Sequence, residues 1–342
     1  MSLVLTVAGA RWRNHLRSVA DATAGLVPVA KGNGYGFGLA SLARRCEWLG
    51  VDVMAVGTYA ELPSVLSRFP GDVLVLTPWR PWIPVLSPEV AGRVIHTVSR
   101  PEDLEALLEV QPGARVVLER TTSMRRHGMS AAELWAAAGI ARSRARFEGV
   151  TIHLPMTGGN EPEARALLDD VIGAEASSVW ISHLTPSELE RLRSAYGDLS
   201  IRPRVGTGLW LGDRGALAVT AVVQDVHPIR RSERFGYRQG RGASGHLLVV
   251  SGGTAHGLGL VAPSGDSSPR GRAATLAKGA IESAGTLRSP FSLDGKPLEF
   301  AEPPHMQASM LVLPKGARVP EVGDTVDVAV RFTTTTFDEI RL

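Results

Sequence analysis

Lys31 closes a short apolar run, Val29-Ala30, and is followed by Gly32-Asn33-Gly34-Tyr35-Gly36-Phe37-Gly38, in which four glycines alternate with other residues. A lysine at the C-terminal mouth of a strand can condense with an aldehyde to form a Schiff base, and in a partly desolvated pocket its lowered pKa lets it carry protons. Glycine at every second position lets the chain turn sharply where a flat ring must lie. The pattern points to a lysine bound covalently to a cofactor. An ordinary glycine-rich loop with a solvated lysine is the competing reading.

Such a lysine needs a scaffold. Over the first 210 residues, short β-branched runs alternate with stretches of helical periodicity. The expected strands are Leu26–Ala30, Val53–Thr58, Asp72–Leu76, Val94–Val98, Ala114–Glu119, Gly149–Leu154, Ser178–Ser182 and Ser200–Val205. Between them, stretches such as Leu39–Leu49, Pro101–Val110 and Pro186–Ala195 space apolar residues by three and four. Eight such units predict an α/β fold, a (β/α)8 TIM-type barrel, with a doubly wound open sheet as the competitor. Four prolines between Pro78 and Pro88 predict an irregular third crossover. After about residue 215, extended runs at Ala218–Val226, His246–Val250, Met310–Leu313 and Thr325–Phe332 predict a smaller C-terminal antiparallel β domain. The division is thus 1–215 and 216–342, with the Gly/Ser/Pro-rich region 262–290 expected to be mobile. In a barrel, chemistry belongs at the C-terminal strand ends, and the loops after strands seven and eight commonly hold phosphate. After strand seven, Thr185 precedes a helix opened by Pro186, whose amides could face a phosphate. Read structurally, Thr185 is a helix cap and Glu188 completes its capping box, a role that does not exclude phosphate contact.

Composition narrows the classes. The chain has 342 residues, 44% of them hydrophobic, enough for a barrel with an appended module. Its 37 basic and 34 acidic residues leave a net +3 with no basic tract, which argues against a nucleic-acid partner. A single cysteine, Cys46, excludes an intrachain disulfide framework and fits a reducing compartment. No apolar run approaches the roughly 20 residues of a membrane span, and the N-terminus lacks a signal core. A soluble cytoplasmic protein with no membrane association and no metal site is expected.

The lysine segment resembles the pyridoxal-phosphate motif of alanine racemases, Ala-Val-Val-Lys-Ala-Asn-Ala-Tyr-Gly-His-Gly, at Lys31, Asn33, Tyr35, Gly36 and Gly38. The resemblance implies pyridoxal 5'-phosphate as cofactor, a Schiff base at Lys31, and Tyr35 at the phosphate. Arg204-Val205-Gly206-Thr207-Gly208-Leu209-Trp210-Leu211-Gly212 is similar to the racemase segment Arg-x-Gly-Ile-x-x-Tyr-Gly. That makes Arg204 the partner of the pyridine nitrogen, with Gly206 and Thr207 presenting amides to phosphate; Arg202 is the neighbour most easily confused with it. An arginine there leaves the nitrogen unprotonated, and the weaker electron sink favours simple proton exchange. The segment Glu119 to Met129 is similar to Lys-Val-Asp-Thr-Gly-Met-Gly-Arg-Ile-Gly. Arg126 then falls on the arginine that orients the substrate carboxylate, and Glu119 replaces a carbamylated lysine as its negative neighbour. His153 matches a histidine beside the pyridine ring, a buried structural histidine being the plain alternative.

The departures concern the second proton carrier. Racemization exchanges the α-proton on two faces, so a group opposite Lys31 is needed. In the family it is a tyrosine in Gly-Tyr-Ala-Asp-Gly, given across a head-to-tail dimer. Here Gly252-Gly253-Thr254-Ala255-His256-Gly257 puts Thr254 at that place, and His256 is the candidate replacement. Tyr237 matches a different family segment and reads as structural. Pro304 to Met310 resembles Cys-Met-Asp-Gln-Cys-Met, so Met306 is expected to present its amide to the substrate carboxylate, with Gln307 where the family has an acid. Phe337 stands at the place of a phosphate-binding tyrosine. The implied function is a pyridoxal-phosphate-dependent amino-acid racemase or epimerase, an isomerase acting as a homodimer on a small-molecule amino acid. Decarboxylation or elimination on the same fold, or a cofactor-binding paralogue without turnover, are the alternatives.

Overall fold

The computed structural model describes residues 2–241, 244–259 and 288–342. Of the region 262–290 expected to be mobile, residues 262–287 lie outside the described residues and residues 288–290 open a β-strand. The chain forms two compact units, Arg13–Gly212 and Met1–Trp12 with Asp213–Leu342.

The larger unit holds β2 (Val27–Pro28), β3 (Val53–Val56), β4 (Asp72–Val75), β5 (Val94–Val98), β6 (Arg115–Arg120), β7 (Arg146–His153), β8 (Ser178–Ser182) and β9 (Ser200–Val205). β1 (Leu3–Val7) belongs to the other unit. The eight barrel strands pair in parallel in the order β2-β9-β8-β7-β6-β5-β4-β3. A bridge between Val29 and Ala55 joins the two remaining edges, so the sheet curls into the expected barrel. Its interior is packed with side chains, among them Val27, Val53, Leu74, Ile95, Val117 and Trp180. Helices α5 (Pro101–Val110), α6 (Ala131–Arg144), α7 (Glu161–Gly173) and α8 (Pro186–Ala195) cover the outside with buried leucines such as Leu104, Leu134, Leu168 and Leu192. Each such leucine contributes roughly 1.5–3 kcal/mol of burial. The proline-rich crossover ends in a single short helical turn, Pro88–Ala91.

Pairing of β6 with β7 slips between Val116 and Val117, where Phe147 and Gly149 are successive partners and Glu148 is the extra residue. Gly149 has φ of +125°, and a Cβ there would collide with the carbonyl oxygen of Ser178.

In the smaller unit, β10 (Leu217–Ile229), β13 (Gly245–Ser251), β14 (Arg288–Leu293), β15 (Lys296–Phe300), β16 (Ala308–Pro314), β17 (Thr325–Val328) and β18 (Glu339–Arg341) join β1 in one sheet, and β11 (Arg234–Phe235) pairs with β12 (Gly240–Arg241). All neighbours in the large sheet are antiparallel except β1 and β18. An extra pairing of β10 with β13 closes it on itself. Leu3–Val7, grouped with residues 1–215 on sequence grounds, lies between β10 and β18. Nothing in its apolar run tells which of two sheets it will complete.

Candidate cofactor site

The end of β2 is fixed from two sides before the chain reaches Lys31. The Trp210 indole donates to the Val29 carbonyl at 2.8 Å, and the Ala30 amide donates to Ala55 at 2.8 Å. Beyond Lys31 the backbone is left-handed at Gly32 (φ +61°), Gly34 (+63°), Gly36 (+87°) and Gly38 (+78°), and also at Tyr35 (+55°). The alternating glycines therefore meet a backbone demand that L side chains resist. A carboxylate unnoticed in the sequence holds the loop's start. Glu61 accepts from the amides of Gly32 (2.8 Å), Gly57 (2.6 Å) and Thr58 (3.2 Å). Its sequence signal is an acid three residues after Thr58 at a helix start. Lys31 stays accessible to solvent. Burial of its stem lowers the amine's pKa, the charges of Arg126 and Arg204 lower it further, and Glu61 opposes them.

Arg204, on β9, is buried and donates through Nη2 to the Ile152 carbonyl at 2.8 Å. Its Nε has no hydrogen-bond partner among the described residues. Burial pulls the guanidinium down to about 10, with Glu119 opposing and Arg126 reinforcing the shift. Arg202 is distinguished from it by its contacts, an ion pair with Asp52 at 2.5 Å and a stacking position 4.5 Å from the Trp180 ring. Glu119 accepts from the Ser99 hydroxyl at 2.7 Å, and among the described residues it makes no ion pair with Arg126. Its charge is felt instead by Arg204. His153, ending β7, shares a 2.6 Å hydrogen bond with Ser182 and meets His183 edge-on at 5.1 Å between centroids. Burial, then the charges of Arg204, Arg126, His183 and Lys31, push its pKa down to about 3, so it stays neutral near pH 7. Cations thus converge on a neutral imidazole, an arrangement that favours an anionic ligand.

Gly206 sits where a Cβ would collide with the Tyr35 hydroxyl, and that hydroxyl is hydrogen-bonded to Thr207. The lysine loop and the turn after β9 therefore touch through glycine. Thr185 caps the helix that Pro186 opens. Its amide (2.7 Å) and hydroxyl (2.8 Å) both donate to Glu188, whose amide returns a bond to the hydroxyl. The structural reading of Thr185 as a helix cap describes this geometry, because its donors are engaged and a carboxylate stands beside it.

In the smaller unit, His256 is buried with both ring nitrogens engaged. The Gly253 amide donates to Nδ1 at 3.2 Å, so the proton resides on Nε2, which faces Asp338 at 3.1 Å. Asp338 in turn accepts from the Leu3 amide at 2.8 Å. The expected proton carrier is thus a clasp between backbone and C-terminal segment, with no lone pair left to exchange. Thr254 donates through its amide to the His305 carbonyl at 2.8 Å. Exposed Met306 lines an open cavity of ≈ 750 Å³ together with Tyr237, Arg238, Glu302 and His305. Phe337 lies against Phe332, 5.8 Å between centroids.

The family described as "Alanine racemase, N-terminal domain" matches residues 9–200. The chain belongs to the alanine racemase family. A curated alanine racemase from a Nitratiruptor species is 28% identical over 145 residues, which span 41% of this chain and 40% of that protein's length. Among solved structures, the alanine racemase of Bartonella henselae with covalently bound pyridoxal phosphate aligns with a TM-score of 0.75 at 16% identity, covering 100% of this chain and 99% of that one. The histidine racemase of Leuconostoc mesenteroides aligns at 0.65 and 16% identity, covering 95% and 87%. At such identities these structures share the fold.

Proposed function

We propose that this chain is a pyridoxal-phosphate-dependent amino-acid racemase or epimerase in which Lys31 holds the cofactor and exchanges the α-proton on one face. The observation that carries the reading is Arg204, whose Nε is buried among converging cations without an acceptor among the described residues. An uncompensated buried donor costs about 1–3 kcal/mol, and a ring nitrogen lone pair is the acceptor that would relieve it. The remaining residues fit the same group. Tyr35 and the backbone of Gly206 and Thr207 would hold its phosphate, and His153 would lie beside its ring. Thr185, which caps the helix opened by Pro186, keeps its place near that phosphate, since capping does not exclude the contact.

When bound, pyridoxal phosphate supplies a conjugated ring that takes up the electron pair left by a departing α-proton. Arg204, with a pKa near 10, keeps its proton at neutral pH and would leave the ring nitrogen of a bound cofactor unprotonated. The resulting weak sink suits proton exchange better than decarboxylation. Lys31, with its lowered pKa, has more free amine at neutral pH than an ordinary lysine. Arg126, exposed at the site, would hold the substrate carboxylate. Substrate would be a free amino acid; the similar structures include both alanine and histidine racemases. A head-to-tail homodimer in the cytoplasm is part of the proposal. Among the described residues no helix is long and apolar enough to cross a membrane, and no His/Cys/Asp/Glu group could hold a metal. The occupied nitrogens of His256 and the threonine at position 254 favour one second reading, a paralogue that binds the cofactor without racemizing.

The test is direct, because the sequence contains only four lysines. Protein incubated with pyridoxal phosphate should gain a visible absorbance band that borohydride bleaches, with the reduced adduct mapping by mass to Lys31. Lys31→Ala should lack both. An adduct on another lysine, or none, would sink the cofactor assignment.

A further inference from the structure

Glu302 is buried, yet its carboxylate is held below the usual range: burial pushes it up, while hydrogen bonds from His305 and the amides of Arg238 and Tyr237 more than offset that. His305 faces it through Nε2 at 2.7 Å, and the Tyr237 and Arg238 amides donate to it at 3.1 and 3.3 Å. That bond places the neutral ring's proton on Nε2 and leaves Nδ1 with a lone pair that no group among the described residues occupies. The His305 side chain is 28% exposed and lines the ≈ 750 Å³ cavity. The exposed Tyr237 ring lies 4.6 Å from it, tilted by 46°. His305 has what His256 lacks, an accessible nitrogen and a buried carboxylate to stabilise the imidazolium, while its tautomer is fixed as that of His256 is.

We infer that His305 is the second acid/base, working on the α-carbon face opposite Lys31, and that Glu302 is its positioning residue. The inference rests on the racemase reading, with this cavity presented to the lysine site of a second copy. In one direction the Cα–H bond breaks and its proton passes to Nδ1 of His305. The electron pair stays with the carbon, where bound pyridoxal phosphate would stabilise it, and a proton from the Lys31 ammonium forms the new Cα–H bond on the other face. In the reverse direction Lys31 takes the proton and His305 gives one. Glu302 stays ionised throughout, as a carboxylate that orients an imidazole does. The charged and titratable groups lining the cavity with His305 are Glu302, Arg238 and Tyr237.

The experiment follows deuterium uptake and inversion in heavy water, starting from each enantiomer of alanine and then of the other proteinogenic amino acids, with the cofactor-loaded full chain. Wild type should invert either enantiomer with label at the α-carbon. His305→Gln should lose inversion by about 100-fold or more while keeping its cofactor spectrum and Lys31-face exchange of one enantiomer. Glu302→Gln should lower the inversion rate by about tenfold or more with KM and the cofactor spectrum unchanged, and Glu302→Asp should restore part of it, a rescue that loss of packing alone does not produce. Wild-type inversion that survives in His305→Gln overturns the inference and leaves the racemase reading standing. Inversion lost in Tyr237→Phe but not in His305→Gln overturns it in favour of the phenol. No exchange by wild type with any amino acid overturns both.

Discussion

Arg204 is the residue whose local energetics and proposed role pull in opposite directions. A buried guanidinium with, among the described residues, one hydrogen bond and an orphaned Nε is costly to keep in a protein without ligand. Arg204→Met should therefore leave the cofactor-free protein as stable as wild type, or more stable by about 1–4 kcal/mol, because a well-packed apolar chain replaces an uncompensated charge. The same change should weaken pyridoxal-phosphate affinity by about tenfold or more, since a charge-assisted hydrogen bond is worth roughly 1.5–3 kcal/mol. Denaturant midpoints and a cofactor titration separate the two quantities. A large loss of stability with unchanged affinity would make Arg204 a strut for the Ile152 carbonyl and nothing more.

At the level of elements, close approaches across strand ends set the site. Gly206→Ala should push against the Tyr35 hydroxyl and cost about 1–3 kcal/mol, as overpacking does. Adding Tyr35→Phe removes the offending oxygen, so the double variant should recover part of that loss; simple additivity would mean the two loops do not press on each other. Gly149→Ala, at φ +125° against the Ser178 carbonyl, should cost on the order of 3 kcal/mol by thermal unfolding. These contacts also show what the sequence could reveal. Period and β-branching placed all eight barrel strands, because each is a short buried run between amphipathic helices. The alternating glycines marked the lysine loop, because backbone handedness is written in residue type. Pairing across long separations was less legible: Leu3–Val7 joins β10, and His256 is clasped by Asp338, 82 residues on. Which nitrogen of a histidine is free depends on such distant partners, so sequence spacing pointed to His256, while the imidazole that lines the smaller unit's cavity is His305.

For the whole molecule, neutral buried imidazoles link stability to pH. Burial holds His96 down to about 4 and His153 down to about 3 in the folded chain, against about 6.5 when unfolded. Below pH ~6.5 the unfolded state binds protons that the folded state refuses, so unfolding becomes more favourable as pH falls. The loss begins near the unfolded value and is complete only below the folded ones. For His96, which is almost wholly buried and takes a 2.9 Å hydrogen bond with Tyr59, the limiting slope is about 1.4 kcal/mol per pH unit. His153 is more open and adds less. Carboxylates held low in the fold, among them Glu302 and Asp338, lose their contribution with the same sign, but only from about pH 4 downward. The window between pH 6.5 and 5 therefore isolates the histidines. Urea midpoints of the cofactor-free protein should fall steadily across it, and His96→Gln, which has no proton to refuse, should flatten the slope while lowering stability at pH 7. A wild-type midpoint that holds constant from pH 6.5 to 5 would mean that these rings take up protons inside the fold, and the neutral His153 on which the cofactor site depends would go with them.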